Sequence, residues 1–254
     1  MPRISQAVAQ VYRDVFHCIG ELRALALIVL LITLAFQTAE VLLLPPGAGH
    51  ASRDLLLRFV SSLAQGFLTV PYYIAVHRLV ILGERTTAYV LAPSHPRFQL
   101  FFWWWAALSV VVYLPISLVD LLAPARGSMS FPHLIALAGM PIVLIAIIIV
   151  TLRLTIIFPA VAVDAPGATW RNVMADTKGY AWRIFLFGLV ACLPLIVPAL
   201  ALGGLVGTGT RTGSWIVNAL TIVFAAVLGV VALTLFIVFA SRLYLWIGNR
   251  TKRA

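Results

Sequence analysis

The chain has 254 residues, of which 62% are hydrophobic and only 10% charged, and its mean hydropathy is +1.04. A soluble domain of that length has no core large enough to hide so much apolar surface, so the water-soluble globular class is excluded. The formal charge of +10 needs no nucleic-acid partner, because an anionic leaflet attracts each juxtamembrane cation by roughly 1 kcal/mol.

Residues 1–21 have the periodicity of an amphipathic helix. Ile4, Val8, Val11, Tyr12, Val15, Ile19 and Leu22 share one face, with Ser5, Gln6, Gln10, Arg13, Asp14, His17 and Glu21 elsewhere. Such a helix either lies in the membrane interface or docks on the bundle that follows. Residues 22–254 then hold six apolar stretches: Leu22–Leu44, Leu55–Leu82, Leu100–Leu122, Leu134–Val163, Ile184–Leu205 and Trp215–Ile247. A hydrocarbon layer of about 30 Å takes about 20 apolar residues per helix, so each stretch is read as a span, and the longer ones tilt, kink or run past the bilayer. The first is too long for a signal-peptide core and lacks a small-residue cleavage site, so it is read as retained. The predicted fold is an all-α polytopic transmembrane bundle with interfacial amphipathic helices.

Lys and Arg set the orientation of such a bundle. Fourteen of the 18 fall on one side of the six-span plan, and only Arg53, Arg58, Arg126 and Arg211 fall on the other. The majority side is read as cytoplasmic, and six spans then place both termini there. Arg outnumbers Lys 16 to 2, and guanidinium binds phosphate bidentately where ammonium does not.

Arginines also bracket three tandem helical hairpins: Arg23 to Arg78, Arg97 to Arg153 and Arg183 to Arg242, separations of 55, 56 and 59 residues. Each closing arginine is followed by leucine and a further apolar turn, so it sits slightly inside its helix. The reading is a repeat, with positive-inside bias as the alternative. Arg78, Arg153 and Arg242, with Arg183 and Lys178, are the candidate ligands for lipid headgroups, since Arg–phosphate hydrogen bonds offset the desolvation of a cation at that depth. Simple interfacial anchoring is the plainer role for the same residues.

Between the fourth and fifth spans, Asp164-Ala165-Pro166-Gly167 reads as a turn, followed by a short helix carrying Trp170, Val173, Met174 and Thr177 on one face and a break at Gly179. Pro71, Pro115, Pro141, Pro194 and Pro198 interrupt spans and favour kinks. A transporter, the alternative function, would place a polar cavity near Pro71, Pro141 and Pro194. Phe101, Phe102, Trp103, Trp104 and Trp105, with Trp170, Trp182 and Trp246, read as an aromatic belt. Ala199, Gly203 and Gly207 form a small-residue ridge that allows homo-oligomers without demanding them.

Catalytic groupings are missing from the sequence. Glu40 and Asp120 are read as structural partners for Arg58, and His77 beside Arg78 as an interfacial residue; His133 joins them as an ionisable group at a span end. No histidine pair has metal-ligand spacing, and no nucleophile elbow occurs. The run Gly204–Arg211 resembles a phosphate loop but lacks its Lys-Ser/Thr. Cys18 and Cys192 build neither a disulfide framework nor a thiolate metal site. The expectation is a non-enzymatic, lipid-interacting membrane protein with no cofactor, supporting membrane or envelope organisation, whose partners are membrane phospholipids of the anionic inner leaflet.

One segment carries a resemblance. Arg153-Leu154, Phe158-Pro159-Ala160, Ala162-Val163-Asp164, Trp170, Thr177-Lys178-Gly179 and Trp182-Arg183-Ile184-Phe185 resemble a stretch of uncharacterised six-span bacterial membrane proteins. These look related to the membrane domain attached to some glycerophosphodiester phosphodiesterases. The resemblance implies a bacterial plasma-membrane protein. The catalytic barrel is absent from this chain, so hydrolytic activity is not implied.

Overall fold

The computed structural model describes residues 4–43, 51–122, 131–212 and 215–252; within these, the side chains of 4, 51–53, 114–122, 131–138, 140 and 205–212 lie outside the description. Asp120, His133 and Gly207 are therefore not placed. The described chain is helical without a strand: α1 (Ile4–Glu21), α2 (Arg23–Leu43), α3 (Ala51–Leu82), α4 (Pro96–Leu122), α5 (Phe131–Leu154), α6 (Ile157–Ala162), α7 (Trp170–Asp176), α8 (Ala181–Thr212) and α9 (Trp215–Ile247). Among the described residues, five stretches are long and apolar enough to cross a membrane: Arg23–Leu43, Asp54–Leu82, Pro141–Ala162, Ala181–Gly204 and Trp215–Ile247. The expected third span is helical within α4 but is not among those five.

α1 takes the docked alternative. Ala7, Val11, Val15, Cys18 and Leu22, spaced three to four apart, are all buried and pack α1 against α9 and α8. Its passage into α2 is nearly continuous, because Leu22 N–H donates to Cys18 O and Ala26 N–H to Leu22 O, each at 2.9 Å. Tyr12 Oη donates to the Ala191 carbonyl at 2.7 Å, so α1 is also hydrogen-bonded to α8.

The fourth expected span, read as one helix over 134–163, is broken. α5 ends at Leu154 and α6 starts at Ile157. Pro159 is the cause: it has no N–H for the Thr155 carbonyl, and its ring crowds that same carbonyl one turn back. Thr155 Oγ1 meanwhile donates to Thr151 O at 2.9 Å. By contrast α3, α5 and α8 continue as helix through Pro71, Pro141, Pro194 and Pro198.

α6 closes with Ala165 N–H on Ala160 O at 2.9 Å and Asp164 N–H on Val161 O at 3.2 Å. That is a Schellman cap, and Asp164 occupies its left-handed position at φ 52°, where glycine is usual. The expected break at Gly179 is present, at φ 82°. α7 begins where Thr169 Oγ1 accepts from Asn172 N–H, a serviceable N-cap.

α3 and α9 are 32 and 33 residues long, about 48–50 Å each by rise per residue, well beyond the hydrocarbon layer. They pack together, joined by two buried polar rungs. Tyr72 Oη lies 2.7 Å from Thr234 Oγ1, and His77 Nδ1 lies 2.7 Å from Ser241 Oγ. Each hydroxyl of α9 already donates to a carbonyl one turn back, Val230 or Ile237. A hydroxyl has one proton, so both accept from α3. His77 is only 1% exposed: it belongs to the packed interior, which corrects its reading as an interfacial residue.

The buried core is concentrated at the end where α3 and α9 finish. It draws on α1, the first turns of α2, the last turns of α3 and α9, the first turns of α4 and α8, and α6 and α7. At the other end the helices expose apolar side chains, among them Leu42, Leu43, Val197, Leu200 and Trp215.

Candidate functional site at the arginine end of the bundle

The three closing arginines all lie at this well-packed end, and each holds a different element. Arg78 donates through Nε to Glu84 at 2.7 Å and through Nη1 to the Ala162 carbonyl at 3.1 Å, with Asp164 3.7 Å away. Arg153 donates to Met174 O at 2.6 Å and Thr177 Oγ1 at 3.2 Å, fastening the last turn of α7. Arg242 donates to Asp14 of α1 at 2.5 Å. The apolar turn after each arginine fits these contacts: it sets the guanidinium back from the helix tip, level with α6, α7 or α1.

Asp164 is the node between two hairpins. Arg97, which opens α4, grips both its oxygens, through Nε at 2.8 Å and through Nη2. Those hydrogen bonds, and then the charges of Arg97, Arg78 and His95, hold the Asp164 carboxyl below the usual carboxylate range, against the opposing effect of partial burial. Beside this node a cavity of about 230 Å³ lies between α3 and the 83–95 segment, with Arg78, Thr86, His95 and Arg97 in its wall. Tyr89 of that segment donates to Leu68 O at 2.5 Å, next to the carbonyl that Pro71 leaves without its helical donor.

Asp176 organises the C-terminal tail. Its carboxylate accepts from the backbone N–H groups of Arg250 (2.9 and 3.0 Å) and Thr251 (3.0 Å) and from Thr251 Oγ1 at 3.1 Å. Sequence reading missed this residue; its only signal was an acidic group on a short basic connection.

The remaining headgroup candidates behave differently. Lys178 and Arg183 are exposed, as is Arg171, and none of the three has an ion pair among the described residues. Trp170 and Trp182 stand beside them in sequence, 54% and 66% exposed. α7 and the first turn of α8 thus present three uncommitted cations and two indoles on one stretch of surface. The five belt aromatics of α4 divide: Phe101 is buried in the core, Trp105 lies over Gly66, and Trp103 is exposed.

At the opposite end, Arg58 donates to Glu40 at 2.5 Å, one of its two expected pairings. Ala199 and Gly203 face outward, and no neighbour lies within 4 Å of where a Gly203 Cβ would stand. Both cysteines are free thiols; burial pushes that of Cys18 up to about 12. No three His, Cys, Asp or Glu side chains converge among the described residues. A larger cavity, of about 400 Å³, sits among α3, α4, α5, α8 and α9, and its wall is overwhelmingly apolar. No protein-family model matches the chain, and neither the curated proteins nor the solved structures give a match.

Proposed function

We propose that this chain is a six-span protein of the bacterial plasma membrane, built as three tandem hairpins with both termini cytoplasmic, and that it binds anionic phospholipid at its cytoplasmic face without performing a chemical step. The packing of α2 on α3, α4 on α5 and α8 on α9 supports the hairpin plan. The gathering of the basic residues at one end, and the resemblance of residues 153–185 to bacterial six-span proteins, support the orientation and the membrane.

The observation that carries the lipid reading is the uncommitted surface of Arg171, Lys178 and Arg183 flanked by Trp170 and Trp182. Indoles seat at the headgroup level and cations meet the phosphates beside them. Of the five headgroup candidates, Lys178 and Arg183 therefore bind lipid, whereas Arg78, Arg153 and Arg242 hold the end together. Three cations at roughly 1 kcal/mol each correspond to about a hundredfold in affinity. Native mass spectrometry with phosphatidylglycerol and phosphatidylcholine tests this. Replacing Arg171, Lys178 and Arg183 by alanine should remove the preference for phosphatidylglycerol while the protein stays folded. Retention of the full preference would refute the assignment, and labelling that puts the two termini on opposite sides would refute the topology.

A further inference from the structure

The smaller cavity, of about 230 Å³, shares no residue with the surface of Arg171, Lys178 and Arg183, and its role stands independently of that surface. Its two walls have different periods. Pro71, Ile74, Ala75 and Arg78 come from one face of α3. Thr86, Ala88, Val90 and Ala92 are every second residue of the connecting segment, as in an extended chain. That segment dips along α3 and returns. It leaves the helix at Gly83, which has φ 72°, and Tyr89 Oη reaches Leu68 O at 2.5 Å. Arg97 then comes back to the level of Arg78, because both guanidiniums meet Asp164. The cavity therefore runs about 10 Å along α3, from Arg78 to Pro71. Arg78 and Arg97 lie at one end of it, and Pro71, Ile74 and Val90 make the rest apolar. Among the described residues its wall contains no Asp or Glu.

The arginines are already seated on carboxylates, and the two carboxylates differ in their hold. Arg97 grips both oxygens of Asp164, which Arg78 also faces. Among the described residues Glu84 pairs with Arg78 alone, one oxygen lying between Nε at 2.7 Å and Nη2 at 2.5 Å. The Glu84 side chain is 50% exposed against 19% for Arg78, and it stands on the non-helical segment just past Gly83. Exposed ion pairs contribute little, so Glu84 is the carboxylate that can leave. Arg78 keeps its hydrogen bond to Ala162 O when it does. Arg85 is paired with Glu21 at 3.1 Å and adds no spare charge. With Glu84 in water, Arg78 and Arg97 face Asp164 alone, which leaves an excess of one positive charge.

We propose that this cavity takes the carboxylate end of a long-chain fatty acid anion, which replaces Glu84 on Arg78 while its chain runs toward Pro71. A carboxylate accepts charge-assisted hydrogen bonds from a guanidinium in the manner Glu84 already shows, and its single charge restores neutrality. A phosphate monoester would bring about 1.5 to 2 negative charges. A two-chain phospholipid is too bulky for a cavity smaller than the roughly 300–1,000 Å³ of ordinary small-molecule sites. Glu84 is then an internal competitor, holding Arg78 until the ligand arrives.

The test is equilibrium binding of tritiated palmitate at pH 8 to the intact purified protein at fixed detergent, with acetate, 1-hexadecanol and phosphatidylglycerol as comparisons. Palmitate should bind saturably, near one per chain. Hexadecanol, which lacks the charge, and acetate, which lacks the chain, should each bind at least about tenfold more weakly. Glu84→Gln removes the competitor and should tighten palmitate binding by up to about fivefold, the equivalent of an exposed ion pair, with phosphatidylglycerol retention unchanged. Arg78→Gln should weaken palmitate at least tenfold; should that variant not fold, Glu84→Gln carries the test. Equal binding of hexadecanol or acetate and palmitate overturns the proposal, as does a palmitate affinity that Glu84→Gln leaves unmoved. Replacing Arg171, Lys178 and Arg183 by alanine should leave palmitate binding intact, so this site and the phospholipid surface fail separately.

Discussion

Arg242 and Asp14 stand 228 positions apart and meet at 2.5 Å, with 21% and 17% of their side chains exposed. The pair fastens α1 to the last turns of α9, and among the described residues no other hydrogen bond or ion pair joins these two helices. Exposed pairs contribute up to about 1 kcal/mol, and breaking a buried one costs about 3–5 kcal/mol; this half-shielded pair falls between. Arg242→Ala and Asp14→Ala should each destabilise the protein by about 2 kcal/mol, and together by clearly less than their sum. Thermal unfolding in detergent, run as a double-mutant cycle, measures the coupling. Strict additivity would show that the two side chains do not interact.

Asp176 should govern the tail. Asp176→Ala strands the N–H groups of Arg250 and Thr251, a loss of about 1–3 kcal/mol, all of it local. The expected result is rapid trypsin cleavage after Arg250 with the transmembrane core still resistant. Thr251→Val removes one hydrogen bond of the set and should speed cleavage far less.

Acid should act through Asp164. Because Arg97 and Arg78 hold its folded carboxyl below the usual range, folding favours the ionised form. That contribution is whole above the unfolded value near 3.9 and is lost as pH falls through the lower folded value. The stability difference between the native protein and Asp164→Asn should therefore be constant at pH 6–8 and shrink in acid. Backbone conformation separates a second effect. At φ 52° an alanine pays about 1–2 kcal/mol that glycine does not, so Asp164→Gly should be the milder substitution and Asp164→Ala the harsher.

Gly66 makes room for Trp105. A Cβ there would lie 2.0 Å from the indole, so Gly66→Ala must displace the ring, which also lines the larger cavity. The overpacking should cost about 1–3 kcal/mol, visible as a lower melting temperature. Gly203→Ala is the control, because nothing stands near its Cβ position.

Hydrophobic run length and periodicity were enough to locate α2, α3 and α9 and the start of α8 within a few residues and to identify α1 as amphipathic, because burial in lipid or against a bundle imposes the same local pattern wherever the partner lies; α8 runs on to Thr212, seven residues past the expected end at Leu205. The turn at Asp164–Gly167 and the break at Gly179 were equally legible, since proline and glycine act on their own backbone. Pro159 was overlooked as the residue that ends α5: it lies in an apolar run that hydropathy alone treats as continuous.

Partners were another matter. The regular placement of Arg78, Arg153 and Arg242 is written in the chain, but their engagement with Ala162, Met174 and Asp14 depends on helices brought together from distant positions. The same holds for His77, whose neighbour in sequence is a charged arginine and whose neighbour in space is Ser241. Local sequence thus determined which segments are helical and apolar, because those preferences act within a few residues. Only the tertiary structure decided which cations are already neutralised, which remain free at Lys178 and Arg183, and where cavities open, because hydrogen-bond partners and cavities are properties of the assembled packing.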